Sequence, residues 1–122
     1  MLKGFLKKLL GNRGERKAAS YLRKQGYRIL ARQYRNRIGE IDLIARDSEF
    51  VVFVEVKTRS SLKFGTPEEA VGPRKQRQII STAQWYLQQR QVGKLQTRFD
   101  VISVLADGEQ TRIEHFPNAF DA

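Results

Sequence analysis

The sequence predicts an α/β fold in which two helices flank a mixed five-stranded sheet. Short β-branched and aromatic runs, separated by polar turns, are typical of strands, whereas two longer segments carry apolar residues at helical spacing. One helix separates the third strand from the fourth, and such a crossover makes the two strands that it connects parallel. The remaining neighbours are joined by short turns and are therefore expected to be antiparallel. A chain of 122 residues suits one compact domain.

The first helix is predicted from Arg13 to Gln25. Asn12 can cap its amino end, and Glu15 occupies the third helical position, as in a capping box. Gly26 is a typical residue just beyond a helix. Residues 1–11 are basic and amphipathic and are predicted to form an N-terminal arm, with residues 12–122 as the single domain. This arm is too short for a membrane span and lacks the features of a signal peptide, so we expect a cytoplasmic protein without a membrane partner.

The second helix is predicted from Pro73 to about Gln91, with proline at its first position. It follows a polar loop, Arg59–Gly65, which is expected to be mobile, and a proline-initiated helical turn, Thr66–Gly72. Trp85 and Tyr86 are expected to pack rather than to stack on bases. The predicted strands are Tyr27–Tyr34, Gly39–Ala45, Phe50–Thr58, Arg98–Leu105 and Thr111–Phe116, the last two joined by a turn at Asp107-Gly108.

The charge of the chain favours a polyanionic partner. There are 23 lysines and arginines against 13 acidic residues, which gives a formal net charge of +10. A domain this basic attracts nucleic acid, although solubility alone is an alternative explanation. The chain has no cysteine and one histidine, His115. A disulfide framework and a histidine-rich zinc site are therefore excluded, and a metal site would use oxygen ligands, which suit Mg²⁺ or Mn²⁺.

Charged residues inside apolar strands are the most informative feature of the sequence. Glu55 and Lys57 lie in the strand Phe50–Thr58, and residues two apart in a strand share a face. Asp42 lies in the preceding apolar strand. Burying charge is unfavourable unless the charge is paired or binds a metal. We therefore expect two acids and a lysine to converge near the middle of a small sheet.

This set of residues suits phosphodiester hydrolysis. Two carboxylates, Asp42 and Glu55, can hold a divalent cation, which lowers the pKa of its bound water. Lys57 can stabilise the charge that develops on the phosphate, and the carbonyl of Val56 is a further oxygen ligand. Glu40 could join the site or face a basic neighbour. The alternative is an exposed ion pair on a half-solvated strand, and for Glu15 an acid that complements the helix dipole.

Longer motifs carry a family resemblance. Glu15 on a helix, Asp42 on a strand and Glu55-Val-Lys57 resemble the PD-(D/E)xK nuclease superfamily, and within it the archaeal Holliday junction resolvases. The segments Gly14-Glu15, Gly39–Ala45, Val52–Arg59 and Gly65–Val71 are similar to the bacterial YraN family of predicted endonucleases. The resemblance covers residues from about 12 to 116. Ile41 stands where the superfamily's name has proline.

The resemblance implies a restriction-endonuclease-like core and a nuclease-like domain over residues 12–122. It implies that Glu15, Asp42 and Glu55 are acidic ligands and that Lys57 is the catalytic lysine. The implied activity is Mg²⁺- or Mn²⁺-dependent cleavage of branched or structured DNA. Basic side chains are expected to contact phosphates without reading sequence. These are Arg35, Arg37, Arg59, Lys63, Arg74, Lys75 and Arg77.

Two other functions stay open from the sequence. The first is a nucleic-acid-binding protein that keeps the fold without catalysis, and the second is a protein-interaction module. The intact acid and lysine set favours the nuclease over the first, and the basic charge argues against the second. A homodimer is a further expectation, because a junction resolvase cuts two symmetry-related strands and an unpaired edge strand at Thr111–Phe116 invites pairing. A monomer whose edge is protected by Arg112 and Glu114 is the alternative.

Overall fold

The computed structural model describes residues 2–59, 71–107 and 110–122. These residues form two helices and five strands. The polar loop and helical turn predicted between Arg59 and Gly72 lie largely outside the described residues, as do Lys63 and Gly108. The elements are α1 (Leu2–Lys24), β1 (Arg28–Arg35), β2 (Glu40–Arg46), β3 (Phe50–Arg59), α2 (Pro73–Gln89), β4 (Gln96–Asp107) and β5 (Gln110–Phe120).

The strands form one mixed sheet in the order β1-β2-β3-β4-β5. The β1–β2, β2–β3 and β4–β5 pairs are antiparallel, and β3 and β4 are parallel. The predicted hairpins and the predicted crossover are therefore confirmed. The fold is α/β and is consistent with a restriction-endonuclease-like core.

Each face of the sheet is covered by one helix. On one face Ala18, Ala19 and Leu22 of α1 pack against residues of β2, β3 and β4 such as Val52 and Val54. On the other face Ile79, Ala83 and Tyr86 of α2 pack against alternate residues of the same strands. Because adjacent residues of a strand point to opposite faces, the continuous apolar run of β3 fills both cores.

The start of α1 corrects a prediction. The helix begins at Leu2 rather than at Arg13, so Asn12 lies inside it and does not cap it. Its side-chain oxygen instead accepts a hydrogen bond from the Gln33 Nε2 (3.0 Å). A single interior glycine such as Gly11 destabilises a helix by about 1 kcal/mol, which is too little to end one here. The carboxyl end follows the prediction, with Gly26 in the left-handed region at φ 98° just beyond Lys24.

Gly14 allows α1 to approach β3 closely. A β-carbon at this position would overlap the side-chain hydroxyl of Thr58. Glycine destabilises the interior of a helix, but no larger residue fits between the helix and the strand at this position. The contact brings α1 close to the carboxyl end of β3, one residue before Glu15.

The second helix ends at Gln89, two residues before the prediction, and its aromatic residues behave differently from each other. Tyr86 is 5% exposed and packs in the core, as predicted, whereas Trp85 is 40% exposed. The packing prediction for Trp85 is therefore wrong. Adjacent residues of a helix are rotated by about 100°, so a helix that directs Tyr86 into the core turns Trp85 toward its polar face.

The final hairpin is longer than the sequence indicates. β5 continues to Phe120, beyond the predicted end at Phe116, and it includes Pro117. β5 is an edge strand of the sheet. Proline is tolerated in an edge strand because the N–H that it lacks is not needed for a hydrogen bond to a neighbouring strand. Asn118 has a positive φ of 53° and marks the irregularity beside the proline.

Candidate functional site

The candidate site lies where β2 and β3 separate. Their ladder runs from Arg46 and Val51 to Leu43 and Val54 and stops there. Asp42 and Glu55 are the next residues of the two strands. Beyond the last rung, the Asp42 Oδ2 accepts a hydrogen bond from the Val56 backbone N–H (2.7 Å). A carboxylate thus takes the place of a backbone carbonyl and holds the two strands at the point of separation.

Glu55 is a buried acid without complete compensation. It is 8% exposed, and its Oε2 has no hydrogen-bond partner. Burial, together with the hydrogen bond and charge of Asp42, raises the pKa of Glu55 to about 8, and Lys75 and Lys57 oppose this increase. Burial therefore favours the protonated form of Glu55 in the metal-free site.

Glu15 approaches the same region from α1. It is 6% exposed, and its Oε1 also lacks a hydrogen-bond partner. Burial and the nearby charge of Asp42 raise the pKa of Glu15, and Gln33 and Arg32 only partly offset this effect. The capping role that the sequence suggested for Glu15 does not apply, because the residue lies in the middle of a continuous helix.

Asp42 is the acid that interacts with both glutamates. Its charge raises the pKa of both Glu15 and Glu55. Within the described residues, no three acidic or histidine side chains are close enough to one another to hold one metal ion. The structure thus brings the predicted acids together as two pairs that share Asp42.

Lys57 and Val56 extend the site along β3. Glu55 and Lys57 are two residues apart in one strand, so both side chains project toward the face covered by α2. Lys57 is half-buried. Val56 lines the cavity that contains Glu15 and Asp42.

Lys75 has a contact that the sequence did not indicate. It was predicted to bind phosphate, yet its Nζ lies 3.8 Å from the Glu55 Oε2. Lys75 is in the first turn of α2, so this ion pair connects the second helix with the acidic site. The ammonium group compensates part of the charge that Glu55 acquires when it loses its proton.

Gln33 is a site residue that sequence reasoning missed. It lies in β1 opposite Asp42 and has a positive φ of 50°, which is unfavourable for a residue with a side chain. Its amide bonds Asn12, and a side-chain hydrogen bond to Glu15 acts on the pKa of that acid. Nothing in the local sequence signals this conformation, because glutamine has no preference for the left-handed region.

Two adjoining cavities open at the site. The first has a volume of about 330 Å³, and its lining includes Glu15, Asp42, Gln33 and Val56. The second, of about 290 Å³, is lined by Arg37, Lys75, Gln78 and neighbouring residues of the β1–β2 turn. Both cavities are lined by Arg35 and Glu40, whose side chains form an ion pair (2.8 Å). An acidic cavity therefore continues into a mainly basic one.

Of the remaining predicted phosphate-binding residues, Arg37 lines the second cavity. Arg74 and Arg77 are exposed on the first turns of α2, and Arg37 is exposed in the β1–β2 turn. Arg59 is the last residue of β3. Glu40 lines the acidic cavity and also contacts a basic neighbour, the Arg35 Nη2, so the two alternatives for this residue occur together.

A separate polar network lies on the face covered by α1. Asp100 is fully buried, and its two oxygens accept hydrogen bonds from Arg98, His115 and the Asn118 backbone at 2.7–3.0 Å. His115 also bonds the Tyr21 hydroxyl through Nδ1 (3.1 Å). His115 therefore belongs to this network and not to the acidic cavities, in agreement with a structural role.

The donor set of the acidic site suits a hard divalent cation. One buried oxygen each of Glu15 and Glu55 lacks a hydrogen-bond partner, and Asp42 interacts with both residues. Unpartnered carboxylate oxygens are unfavourable in the metal-free protein, and a cation would compensate them. The residues present therefore fit Mg²⁺ or Mn²⁺, with Asp42 and Glu55 as the central pair.

The protein is of the α/β class, with a five-stranded mixed sheet that is consistent with a restriction-endonuclease-like core. The chain belongs to the uncharacterised protein family UPF0102, whose model matches residues 14–104. This result confirms the resemblance to YraN proteins.

Relatives from several bacteria match over nearly their full length. A UPF0102 protein of Syntrophotalea carbinolica is 54% identical over 112 residues, which cover 92% of this chain and 91% of the relative. One from Trichlorobacter lovleyi is 51% identical and covers 92% of this chain and 90% of the relative. One from Caldicellulosiruptor saccharolyticus is 45% identical and covers 93% of this chain and 98% of the relative. In the described part of the chain, neither helix has the length and hydrophobicity to cross a membrane.

The raised pKa of Glu55 predicts a pH-dependent stability. A carboxyl group whose pKa is higher in the folded state stabilises the fold below its ordinary pKa of 4.5, and this contribution is lost as the pH rises through about 8. In EDTA, Glu55→Gln should therefore leave stability nearly unchanged at low pH and increase it at high pH. Urea unfolding at several pH values measures the difference, and parallel curves for the parent and the variant would contradict it.

Proposed function

We propose that this protein is a metal-dependent endonuclease that hydrolyses phosphodiester bonds in branched or structured DNA. The observation that carries the proposal is the pair Asp42 and Glu55 at the separation of β2 and β3, with Lys57 two residues further on the same face. The pair includes a buried Glu55 oxygen without a hydrogen-bond partner, and the Lys75 ammonium lies 3.8 Å from this oxygen. Such an arrangement is unfavourable for folding alone and therefore indicates a function.

The chemistry follows from the types of residue. A Mg²⁺ or Mn²⁺ ion held by Asp42 and Glu55, with the Val56 carbonyl as a further oxygen donor, would supply a water of lowered pKa. The Asp42 carboxylate is oriented by the Val56 N–H. The Lys57 ammonium would stabilise the negative charge that develops on the phosphate and its leaving oxygen.

The basic cavity supports nucleic acid as the substrate. It adjoins the acidic cavity, and Arg37 and Lys75 lie on its wall. A phosphodiester at the acids would therefore place neighbouring phosphates near these cations. Contacts of this type bind the backbone without reading sequence, which agrees with recognition of shape.

Mutation of Asp42 tests the metal site. Asp42→Asn keeps an oxygen that can accept the Val56 N–H but removes a charged ligand, so the fold should persist while Mn²⁺ affinity falls at least about tenfold. Calorimetry with Mn²⁺ measures this change. Labelled branched and linear DNA, incubated with Mg²⁺, Mn²⁺ or EDTA, measures cleavage in the same samples.

A matched control is Asp121→Asn, which changes an exposed acid near the carboxyl terminus. This control should bind Mn²⁺ and cleave DNA like the parent. Unchanged Mn²⁺ affinity in Asp42→Asn would remove the acids from the site assignment. Absence of cleavage by the parent in every metal would exclude the endonuclease.

The second candidate is a nucleic-acid-binding protein without catalysis. The separation of the acids into two pairs favours it, since the described residues do not bring three ligands to one point. This candidate predicts binding of DNA in EDTA and no product with either metal. The cleavage assay therefore discriminates the two functions directly.

A further inference from the structure

The tryptophan of α2 is exposed at the end of a polar and basic helix face. Trp85 is the only tryptophan of the chain and is 40% exposed. Arg74, Gln78, Ser81 and Trp85 follow one another at intervals of four, three and four residues, and residues at this spacing share one face of a helix. The core side of α2 is formed by other positions, which are Ile79, Thr82, Ala83 and Tyr86.

This face begins at the basic cavity. Gln78 lines the cavity together with Lys75, and its Nε2 donates a hydrogen bond to the Ile38 carbonyl (3.2 Å). Trp85 lies ten residues beyond Lys75, which corresponds to about 15 Å along the helix. The indole ring thus lies seven residues beyond Gln78, a residue of the basic cavity, on the same face of the helix.

The charge of α2 complements nucleic acid. Among its 17 residues, three are cationic, Arg74, Lys75 and Arg77, and none is acidic. A single exposed aromatic residue is ordinary on a protein surface. All three cations lie in the first five residues of α2, and the indole lies on the same helix about 15 Å beyond them. This combination has the composition of a site that binds a single strand, in which cations bind the backbone and aromatic rings stack on bases.

We propose that Trp85 stacks on an unpaired base of the substrate strand, a few nucleotides from the phosphate at the acidic site. This inference rests on the proposed function and narrows it to substrates with a single-stranded segment next to the cleavage position. A paired base exposes no face to a side chain, so a continuous duplex cannot use this contact. Trp85 therefore determines specificity and takes no part in the chemical step.

The single tryptophan makes the contact directly measurable. Fluorescein-labelled oligothymidylate of about 15 nucleotides, within the range of single-strand site sizes, is titrated in EDTA, with a blunt hairpin duplex as comparison. Anisotropy of the label gives affinity, and protein emission reports stacking on Trp85. We expect oligothymidylate to quench the emission strongly and the duplex to quench it weakly.

Three variants test the role of the ring. Trp85→Ala should weaken oligothymidylate binding by about 5- to 150-fold, which corresponds to the loss of one stacked base. Trp85→Phe should keep most of the affinity, because a smaller ring still stacks. Leu30→Ala, at another exposed apolar residue, should have no effect. Circular dichroism confirms that each variant is folded.

The possible failures can be told apart. Binding without quenching, or unchanged affinity in Trp85→Ala, would overturn the stacking contact and leave the nuclease proposal intact. A parent that binds neither probe would overturn both proposals. If Trp85→Ala keeps its affinity but light scattering shows that a dimer has become a monomer, the ring belongs to a protein interface and the inference is wrong.

Discussion

Asp100→Ala is expected to lower the free energy of unfolding by about 3–5 kcal/mol. Asp100 is fully buried, and its carboxylate compensates the guanidinium of Arg98, which donates to it from Nε and Nη2 at 2.8 Å. Alanine would leave this cation and the Asn118 N–H without their acceptor in the interior. Urea unfolding followed by circular dichroism measures the loss, and Asp121→Ala provides the control at an exposed acid.

The same network predicts sensitivity to acid. Burial disfavours the charged form of Asp100, but hydrogen bonds from His115, Arg98 and Asn118 outweigh burial and lower its pKa. A lowered pKa means that the stabilisation is complete above the ordinary value of 3.8 and is lost as the pH falls through the folded-state value. The difference between the parent and Asp100→Ala should therefore shrink in acid. If Asp100→Ala lowers the free energy of unfolding by less than about 1 kcal/mol at neutral pH, water compensates the groups that lose Asp100 as their acceptor.

The order and pairing of the strands could be predicted because their signals are local. Apolar runs, polar turns and one helical crossover determine which strands are antiparallel and which are parallel, and the structure agrees. The placement of Glu55 and Lys57 on one face is a consequence of the two-residue period of a strand. The start of α1 was not predictable in this way, because a capping pattern at Asn12 and Glu15 competes with the tendency of a helix to continue through its interior glycines.

The contacts that define the two polar sites join distant parts of the chain. Tyr21 and His115 are 94 residues apart in sequence, and the sequence separation between Val56 and Asp42 is 14. No short pattern encodes such pairs, since they depend on how the elements pack. The strained backbone of Gln33 and the ion pair of Lys75 with Glu55 also depend on how the elements pack. Sequence reasoning therefore identified the residue types of the acidic site but not the partners that compensate them.

Lys57→Ala is expected to lower the rate of DNA cleavage by about 100- to 1,000-fold, the effect of removing one preorganised charge from a developing anion. DNA affinity should change little, because other cations contact the phosphates. Mn²⁺ affinity should also persist, since Asp42 and Glu55 keep their oxygens. Single-turnover cleavage in Mn²⁺, anisotropy in EDTA and calorimetry with Mn²⁺ measure the three quantities separately.

The matched control for Lys57 is Lys94→Ala, which removes an equal charge from the opposite end of the sheet. Lys94 lies just before β4, whose first residue pairs with Phe50 of β3. Phe50 lies seven residues, or about 20 Å, before Lys57 along β3. If general electrostatic attraction to DNA drove cleavage, both variants would lose cleavage activity together with DNA affinity. A loss confined to Lys57→Ala, with binding of metal and DNA retained, would require a local role in the reaction. Equal cleavage by the parent and Lys57→Ala would exclude this lysine from the mechanism, even if the acids were shown to bind metal.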